Sequence, residues 1–241
     1  MGQLRRRVGL VPHLLLWDID HTLIENSGVS KAIYSAAFSL LTSIEPSAPP
    51  VTDGKTDRLI MREMFASNCV EFPEWPQVHS ALRAAGEMHK NQLRKIGHAL
   101  PGVRKLLETI AALPGVTQTV VTGNIAENAK VKLDAFALLD LLVLDAGGYG
   151  SDSEDRAELV RLAKARSSSI SGTKFDSENT TVIGDTPRDV EAAHRAGARV
   201  VAVATGPDSQ DQLSSAGADA VLPDLADTSR VLQLLVGPDR P

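Results

Sequence analysis

The sequence predicts an α/β fold, a doubly wound parallel sheet with one helical insertion. Apolar runs of strand length alternate with segments whose apolar residues recur at helical spacing. Several of these runs are nearly all apolar, which is typical of parallel strands covered by helices on both faces. The alternation is interrupted only between about residues 24 and 99, where no convincing strand is found. These observations together favour a core in which helices cover both faces of a parallel sheet, with an inserted helical unit.

The predicted strands are short and lie far apart in the chain. They cover residues 13–17, 119–121, 141–144, 180–183 and 199–203, and the last three are nearly all apolar. Parallel strands joined through helices have this composition because both faces of the sheet are buried.

The predicted helices follow these strands. They cover residues 103–113, 126–137, 154–165, 188–196 and 208–216. In RAGARVVAV, the glycine after Ala196 is suited to end one helix before the next strand begins. The stretch SSSIS at 167–171 is interpreted as a surface loop.

The sequence of the insertion predicts helices joined by turns. Its helical segments are SKAIYSAAFSLL, DRLIMREMF and VHSALRAAGEMHKNQL, separated by SIEPSAPP and EFPEWPQ. An insertion placed after the first strand lies above the carboxyl edge of the sheet, where open α/β folds bind ligands. It could therefore act as a lid, and we expect Trp75 to pack within it.

Composition excludes several classes of function. A net charge of −5 and a pI near 5.7 give no reason to expect nucleic acid or an anionic membrane as a partner. No apolar run reaches the ~18 residues needed to cross a bilayer. The single Cys69 excludes an internal disulfide and a cysteine-rich zinc site, which suits a cytoplasmic protein. We expect that cysteine to be buried or partly buried, and the protein to act on a small molecule.

Three predicted strands end in polar clusters: LLLWDIDHT, TVVTGN and TVIGDTPRD. Neighbouring parallel strands bring their carboxyl ends to one crevice. The residues expected to meet there are Asp18, Asp20, Thr122, Asn124, Asp185 and Asp189. Four carboxylates would take up protons unless a positive group lies among them, and their oxygens suit Mg²⁺.

The ordered set DIDHT, TGN and GDTPRD resembles the motifs of the haloacid dehalogenase-like hydrolase superfamily. The helical insertion resembles the small α-helical cap of its phosphoglycolate phosphatase-like branch, as do HALPGVRKLLETI and GKTDRLIMREMF. The resemblance implies a Rossmann-like core of residues 1–23 and 100–241 with a cap of residues 24–99. It also implies hydrolysis of a small phosphomonoester.

The resemblance implies distinct roles for the two aspartates of the first motif. Asp18 would attack phosphorus and form an aspartyl-phosphate, while Asp20 would protonate the leaving oxygen and then deprotonate water. The Asp18 carboxylate, the Asp20 backbone carbonyl and Asp185 would hold Mg²⁺, with Asp189 bound directly or through water. An acid at Asp20 favours phosphate over carbon–halogen chemistry, because a halide leaves without a proton.

The phosphate-binding residues follow from the second and third motifs. Thr122 would donate its hydroxyl to phosphate, helped by the backbone N–H groups of Gly123 and Asn124. The third motif normally supplies a lysine, and here Arg156 of DRAELVRLA stands in its place. Lys132 and Lys174 remain alternatives for that role.

Specificity is expected to depend on the cap. Lys55 of GKTD could reach an anionic substrate group, and Gly54 before it permits an unusual turn. His21 either contacts substrate or fills the space where the strand ends.

The predicted activity is Mg²⁺-dependent phosphatase. The alternatives are a sugar phosphomutase with the same two aspartates and a non-catalytic binding or regulatory protein that retains the fold. The sequence indicates neither the substrate nor the oligomeric state.

Overall fold

The computed structural model describes residues 12–237, and its sheet confirms the predicted fold class. Six parallel strands form the main sheet in the order β5-β4-β1-β6-β7-β8, and β2 and β3 form a separate antiparallel pair. The strands are β1 (His13–Trp17), β2 (Ile24–Glu25), β3 (His98–Ala99), β4 (Val116–Thr122), β5 (Gly148–Tyr149), β6 (Thr180–Gly184), β7 (Arg199–Val203) and β8 (Ala220–Leu222).

Helices cover both faces of the main sheet and form the insertion. They are α1 (Val29–Thr42), α2 (Asp57–Ser67), α3 (Trp75–Ile96), α4 (Val103–Ala111), α5 (Ala126–Ala135), α6 (Arg156–Ser171), α7 (Pro187–Arg195), α8 (Gln210–Ser215) and α9 (Thr228–Val236). None of the helices within residues 12–237 combines the length and the apolar composition that crossing a membrane requires.

Strand β1 lies at the centre of the sheet, and its side chains divide between two cores. Leu15 and Trp17 belong to the core that α4, α5 and α9 cover, whereas Leu14 and Leu16 belong to the core under α6 and α7. Successive strand residues point to opposite faces, so both halves of the apolar run are buried. The five residues of β1 are all buried, which explains why HLLLW lacks an alternating polar pattern.

The register of the sheet brings three strand ends together. Trp17 pairs with Val120 of β4 and Ile183 of β6. The residues that follow these strands therefore emerge side by side at the carboxyl edge. The site is assembled at this edge.

The insertion has a hydrophobic core of its own, built from α1, α2 and α3. Phe38 and Phe65 meet edge to face with ring centroids 4.9 Å apart. Trp75 packs against this cluster, as expected, with the Arg58 guanidinium 4.1 Å above its ring. We call this helical unit the cap; its predicted limits, 24 and 99, remain a prediction.

Two predictions about strands were wrong. Residues 141–144 are not a strand: they lie across two 3₁₀ turns, Leu139–Leu141 and Leu144–Ala146, whose leucines pack on the core. The edge strand is β5, a few residues later. Residues 24–99 also contain strands, because β2 and β3 pair where the chain enters and leaves the cap. Two-residue strands carry no periodicity that a sequence could reveal.

The stretch SSSIS is helical rather than a loop, which corrects a second interpretation. It forms the last turn of α6, where Ser168 and Ser171 donate hydroxyl hydrogen bonds to carbonyls four residues earlier, at 2.8 Å. This bonding satisfies the hydroxyl groups of these two serines inside the helix. The helix ends at Gly172, which has a left-handed backbone.

Cys69 is exposed, contrary to expectation. It follows α2 in a turn where its φ is 53°, and Val70 after it packs against the cap core. The sequence also gave no prediction for β8 and α9, which complete the sheet and one core. The glycine after Ala196 does end α7, with φ 60°.

Candidate active site

An open cavity of about 480 Å³ lies between the carboxyl edge of the sheet and the cap. Its lining includes the predicted site residues Asp18, Asp20, Lys55, Thr122, Gly123, Asn124, Arg156 and Asp185. Asp189, the remaining predicted residue, lies beside them without lining the cavity. The structure thus brings together residues that are more than 160 positions apart in the chain.

Three buried carboxylates form a cluster at the base of the cavity. Ligand oxygens of Asp18, Asp185 and Asp189 all lie within 4.8 Å of one another. Burial raises the pKa of Asp18 to about 6, although the Arg156 guanidinium opposes this rise. Burial also raises the pKa of Asp185 well above its usual value, and the charges of Asp18 and Asp189 add to the effect. The three carboxylates therefore carry more negative charge than the Arg156 guanidinium neutralises.

Asp185 carries the clearest indication that these residues could hold a cation. Its Oδ1 accepts a hydrogen bond from Thr22 Oγ1 at 3.1 Å, but its Oδ2 is buried with no partner among residues 12–237. A side chain at Gly206 would collide with this carboxylate, so backbone encloses it closely. A buried anionic oxygen without a partner is costly, and an all-oxygen donor set suits a hard divalent cation. The residues present fit a metal ion.

Asp189 differs from Asp185 because both of its oxygens have partners. Its Oδ1 accepts a hydrogen bond from Arg156 Nε at 2.8 Å. Its Oδ2 accepts from the Thr186 hydroxyl at 2.7 Å and from the Thr186 backbone N–H at 3.1 Å. Thr186 in turn caps α7, which begins at Pro187. Asp189 thus holds in place both the start of α7 and the Arg156 guanidinium.

Arg156 joins the acidic cluster to the cavity. It is the first residue of α6, it is only 8% exposed, and its Nη2 lies 3.1 Å from Asp18 Oδ1 and 2.5 Å from Asp189 Oδ1. Burial alone would lower its pKa, but the carboxylates of Asp189 and Asp18 outweigh burial and raise it. Arg156 therefore touches the predicted nucleophile, as expected for the third-motif cation.

The two alternatives to Arg156 lie elsewhere. Lys174 is exposed in the loop before β6, at the amino end of that strand, away from the cavity. Lys132 is buried on α5, where its ammonium contacts Asp20 rather than Asp18.

Asp20 is held by four side chains. Its Oδ1 accepts hydrogen bonds from Asn26 Nδ2 at 2.8 Å and Ser30 Oγ at 3.2 Å. Its Oδ2 accepts from Lys132 Nζ at 2.6 Å and Asn124 Nδ2 at 2.8 Å. Burial by itself raises the pKa of Asp20, but the Lys132 charge and the hydrogen bonds outweigh it and lower that pKa to about 2. Asp20 is therefore ionised at neutral pH.

The end of β4 and the loop after it place Thr122, Gly123 and Asn124 in the lining of the cavity. Thr122 Oγ1 accepts hydrogen bonds from Asn124 Nδ2 at 2.7 Å and from the Asn124 N–H at 3.3 Å. No group within residues 12–237 accepts a hydrogen bond from the Thr122 hydroxyl, so this hydroxyl can donate one to a ligand. A side chain at Gly123 would collide with the Lys55 carbonyl of the cap, which explains the glycine.

Comparison with known proteins identifies the family of this chain. The family described as haloacid dehalogenase-like hydrolase matches residues 15–203, which is most of the chain. The chain belongs to the haloacid dehalogenase-like hydrolase family. A relative from Dickeya dadantii (strain 3937), named Probable phosphatase IndB, is 26% identical over 213 residues, which cover 84% of this chain and 86% of the relative.

Solved structures share the fold of this haloacid dehalogenase-like hydrolase. A predicted phosphoglycolate phosphatase from Haemophilus somnus 129pt aligns with a TM-score of 0.64 at 19% identity, covering 94% of this chain and all of the other. A proposed beta-phosphoglucomutase from Thermotoga maritima aligns with a TM-score of 0.60 at 19% identity, covering 92% of this chain and 98% of the other. At these identities the matches show the fold alone.

The cap of this hydrolase is attached to the loop after β4 through Asp57, a residue for which the sequence indicated no role. The Asp57 backbone N–H donates to the Gly123 carbonyl at 2.8 Å. Its carboxylate accepts from the Ile125 N–H at 2.8 Å and from the Tyr34 hydroxyl at 2.7 Å. Asp57 follows Gly54 and Lys55 in GKTD, so its place in a motif was the only available signal.

Lys55 and His21 both line the cavity and both have acidic partners. Lys55 Nζ lies 2.5 Å from Glu63 Oε2, and Gly54 before it has φ 62°. His21 has a left-handed backbone with φ 58°, and its Nδ1 lies 3.0 Å from Glu25 Oε2. Lys55 would have to exchange Glu63 for a substrate anion in order to bind one.

We expect the Asp57→Asn variant to show a smaller loss of stability than the wild type as pH rises from 4 to 7. Burial raises the pKa of Asp57 from its ordinary 3.8 to about 6, despite hydrogen bonds from Tyr34 and Ile125 that lower it. Between these values the folded state holds more protons than the unfolded chain, so stability falls with rising pH. The difference should be on the order of 1–3 kcal/mol.

Urea unfolding of both proteins at pH 4 and pH 7 measures this difference. Asparagine keeps an acceptor for Ile125 N–H and offers a donor to the Tyr34 oxygen, so the fold should persist. Identical pH dependence in the two proteins would contradict a raised Asp57 pKa. Because Asp18 and Asp185 titrate in both proteins, their contributions cancel in the comparison.

Proposed function

We propose that this protein is a Mg²⁺-dependent phosphatase that hydrolyses a small phosphomonoester through an aspartyl-phosphate at Asp18. The observation that carries the proposal is the meeting of Asp18, Asp20, Thr122, Arg156 and Asp185 in one cavity. Membership of a hydrolase family and a relative named as a phosphatase support a phosphatase enzyme.

The acidic cluster would hold the metal. Asp18 and Asp185 supply carboxylate oxygens, and the Asp20 backbone carbonyl supplies a third ligand. Asp189 would take part directly or through water, since Arg156 and Thr186 already contact its two oxygens. When bound, Mg²⁺ would neutralise the charge that otherwise keeps an anionic phosphate from an anionic carboxylate.

The first step transfers the phosphoryl group to Asp18. An Asp18 oxygen attacks phosphorus, the bond to the leaving oxygen breaks, and Asp20 gives that oxygen a proton. Arg156 steadies the Asp18 carboxylate, while the Thr122 hydroxyl donates to a phosphate oxygen. Asp20 is ionised in the free protein, so it has to gain a proton before this step.

The second step frees Asp18 from the phosphoryl group. Asp20, now a carboxylate, takes a proton from water as the water oxygen attacks phosphorus. The bond between phosphorus and Asp18 breaks, and inorganic phosphate leaves. Asp20 is then protonated again, ready for the next leaving group.

The cavity favours a small, polar leaving group. The open space between the sheet edge and the cap, about 480 Å³ with the solvent at its mouth included, limits the size of the leaving group. The lining on the cap side is hydroxylated or charged: Ser30, Tyr34, Thr52, Asp53 and Lys55. An alcohol with further hydroxyl or anionic groups matches this surface better than an apolar one.

The test is inorganic phosphate release from a panel of small phosphomonoesters, with Mg²⁺ and with EDTA. We expect release that requires Mg²⁺. Conversion of a sugar phosphate to its isomer with little phosphate released would instead identify a phosphomutase. Magnesium binding without turnover of any phosphomonoester would support a non-catalytic protein, and either result would overturn the proposal.

A further inference from the structure

We propose that Lys132 is a positioning residue that acts through Asp20, fixing the carboxylate that transfers protons in both steps. The inference rests on the proposed function and adds a residue to it. The relevant feature is a buried cluster formed by Lys132, Asp20, Asn124 and Ser30.

The ammonium of Lys132 has three N–H groups, and the structure accounts for all of them. Nζ donates to Asp20 Oδ2 at 2.6 Å, to Asn124 Oδ1 at 2.6 Å and to Ser30 Oγ at 2.8 Å. The side chain is only 2% exposed. With every donor engaged, Lys132 has none left for a substrate phosphate.

The cluster joins three parts of the molecule. Asp20 follows the central strand β1, Asn124 belongs to the loop after β4, and Ser30 lies on α1 of the cap. Lys132 itself is on α5, whose Ala129 and Leu133 are fixed in the core. A rigid helix thus holds the donor that sets the direction of the Asp20 carboxylate.

Asp18 and Asp20 each have a different cationic partner. Arg156 contacts Asp18 and Asp189, and Lys132 contacts Asp20. Loss of Lys132 would leave Asp20 tethered by Asn26, Ser30 and Asn124 but without its charged partner. Proton transfer is sensitive to the position of the Asp20 carboxylate. A small displacement of that carboxylate should therefore slow the steps that need a proton.

Leaving groups of different basicity test this role. Phenyl phosphate needs a proton on its leaving oxygen, whereas 2,4-dinitrophenyl phosphate releases a stable anion. We expect Lys132→Met to lower kcat/KM by roughly 100-fold for the first and by less than about fivefold for the second. The matched control is Lys130→Met, which changes an exposed lysine of the same helix and should retain both activities.

Rapid mixing gives a second measurement. Asp20 also activates water, so Lys132→Met should release one equivalent of dinitrophenolate in a burst and then turn over slowly. A merely structural lysine would produce equal losses on both substrates and no burst. That result, or unchanged activity, would overturn the proposal.

Lys132→Arg extends the test if the methionine variant does not fold. Its planar guanidinium keeps the charge but cannot reproduce three contacts around one nitrogen, so we expect a selective loss of roughly tenfold on phenyl phosphate. An unchanged ratio between the two substrates would contradict positioning by Lys132. Failure of the wild type on both substrates would instead count against the proposed function itself.

Discussion

We expect the Asp18→Asn variant to lose phosphatase turnover by a factor on the order of 10⁴ or more while it keeps its fold. A neutral amide cannot attack phosphorus as a carboxylate does. Arg156 retains Asp189 as a partner, and one charge leaves a crowded buried cluster. The midpoint of thermal unfolding should therefore stay near the wild-type value or rise.

Release of inorganic phosphate and of p-nitrophenol from p-nitrophenyl phosphate measures this loss. The control is Asp140→Asn, the same chemical change at an exposed site in a 3₁₀ turn, which should leave turnover intact. Substantial residual activity in a folded Asp18→Asn protein would show that another group attacks phosphorus.

The Asp185→Asn variant should be more stable than the wild type without metal, yet bind Mg²⁺ more than ~100-fold less tightly. Asp185 Oδ2 is buried without a partner among the described residues, beside the carboxylates of Asp18 and Asp189. Removing this charge should raise the free energy of unfolding by about 1–3 kcal/mol. On the proposed function, the charges of the acidic cluster oppose folding and metal binding would offset this cost.

Asp189→Asn provides the opposite control. Both Asp189 oxygens accept hydrogen bonds, from Arg156 and from Thr186, so its replacement should lower stability. Urea unfolding in EDTA and calorimetric titration with Mg²⁺ measure the two effects. A loss of stability in Asp185→Asn, or wild-type affinity for Mg²⁺, would show that the cluster is not a metal site.

Much of the fold could be predicted because buried parallel strands leave a strong pattern. The run HLLLW predicts β1 since both faces of that strand are covered. The same rule failed at 141–144, where Leu141, Leu142 and Leu144 pack on the core from 3₁₀ turns instead of from a strand and Val143 is exposed. Short apolar runs do not distinguish these geometries, because either one buries the same side chains.

The membership of the site was also largely predictable, whereas its contacts were not. Asp18, Thr122 and Asp185 each follow a strand, so the topology of a parallel sheet predicts that they meet. Their three-motif order also led to the family that the comparisons confirm. The cap contact at Asp57 and the pairing of Lys132 with Asp20 could not be foreseen, since each joins segments about 68 or more residues apart.

The amino-acid sequence by itself determined the alternation of strand and helix and the chemical groups at the strand ends, because both depend on neighbouring residues. Only the tertiary structure decided which cation contacts which aspartate. Arg156 and Lys132 are both cationic residues in the sequence, but α6 directs one toward Asp18 and α5 directs the other toward Asp20. That assignment depends on how helices pack against the sheet, and local sequence does not encode it.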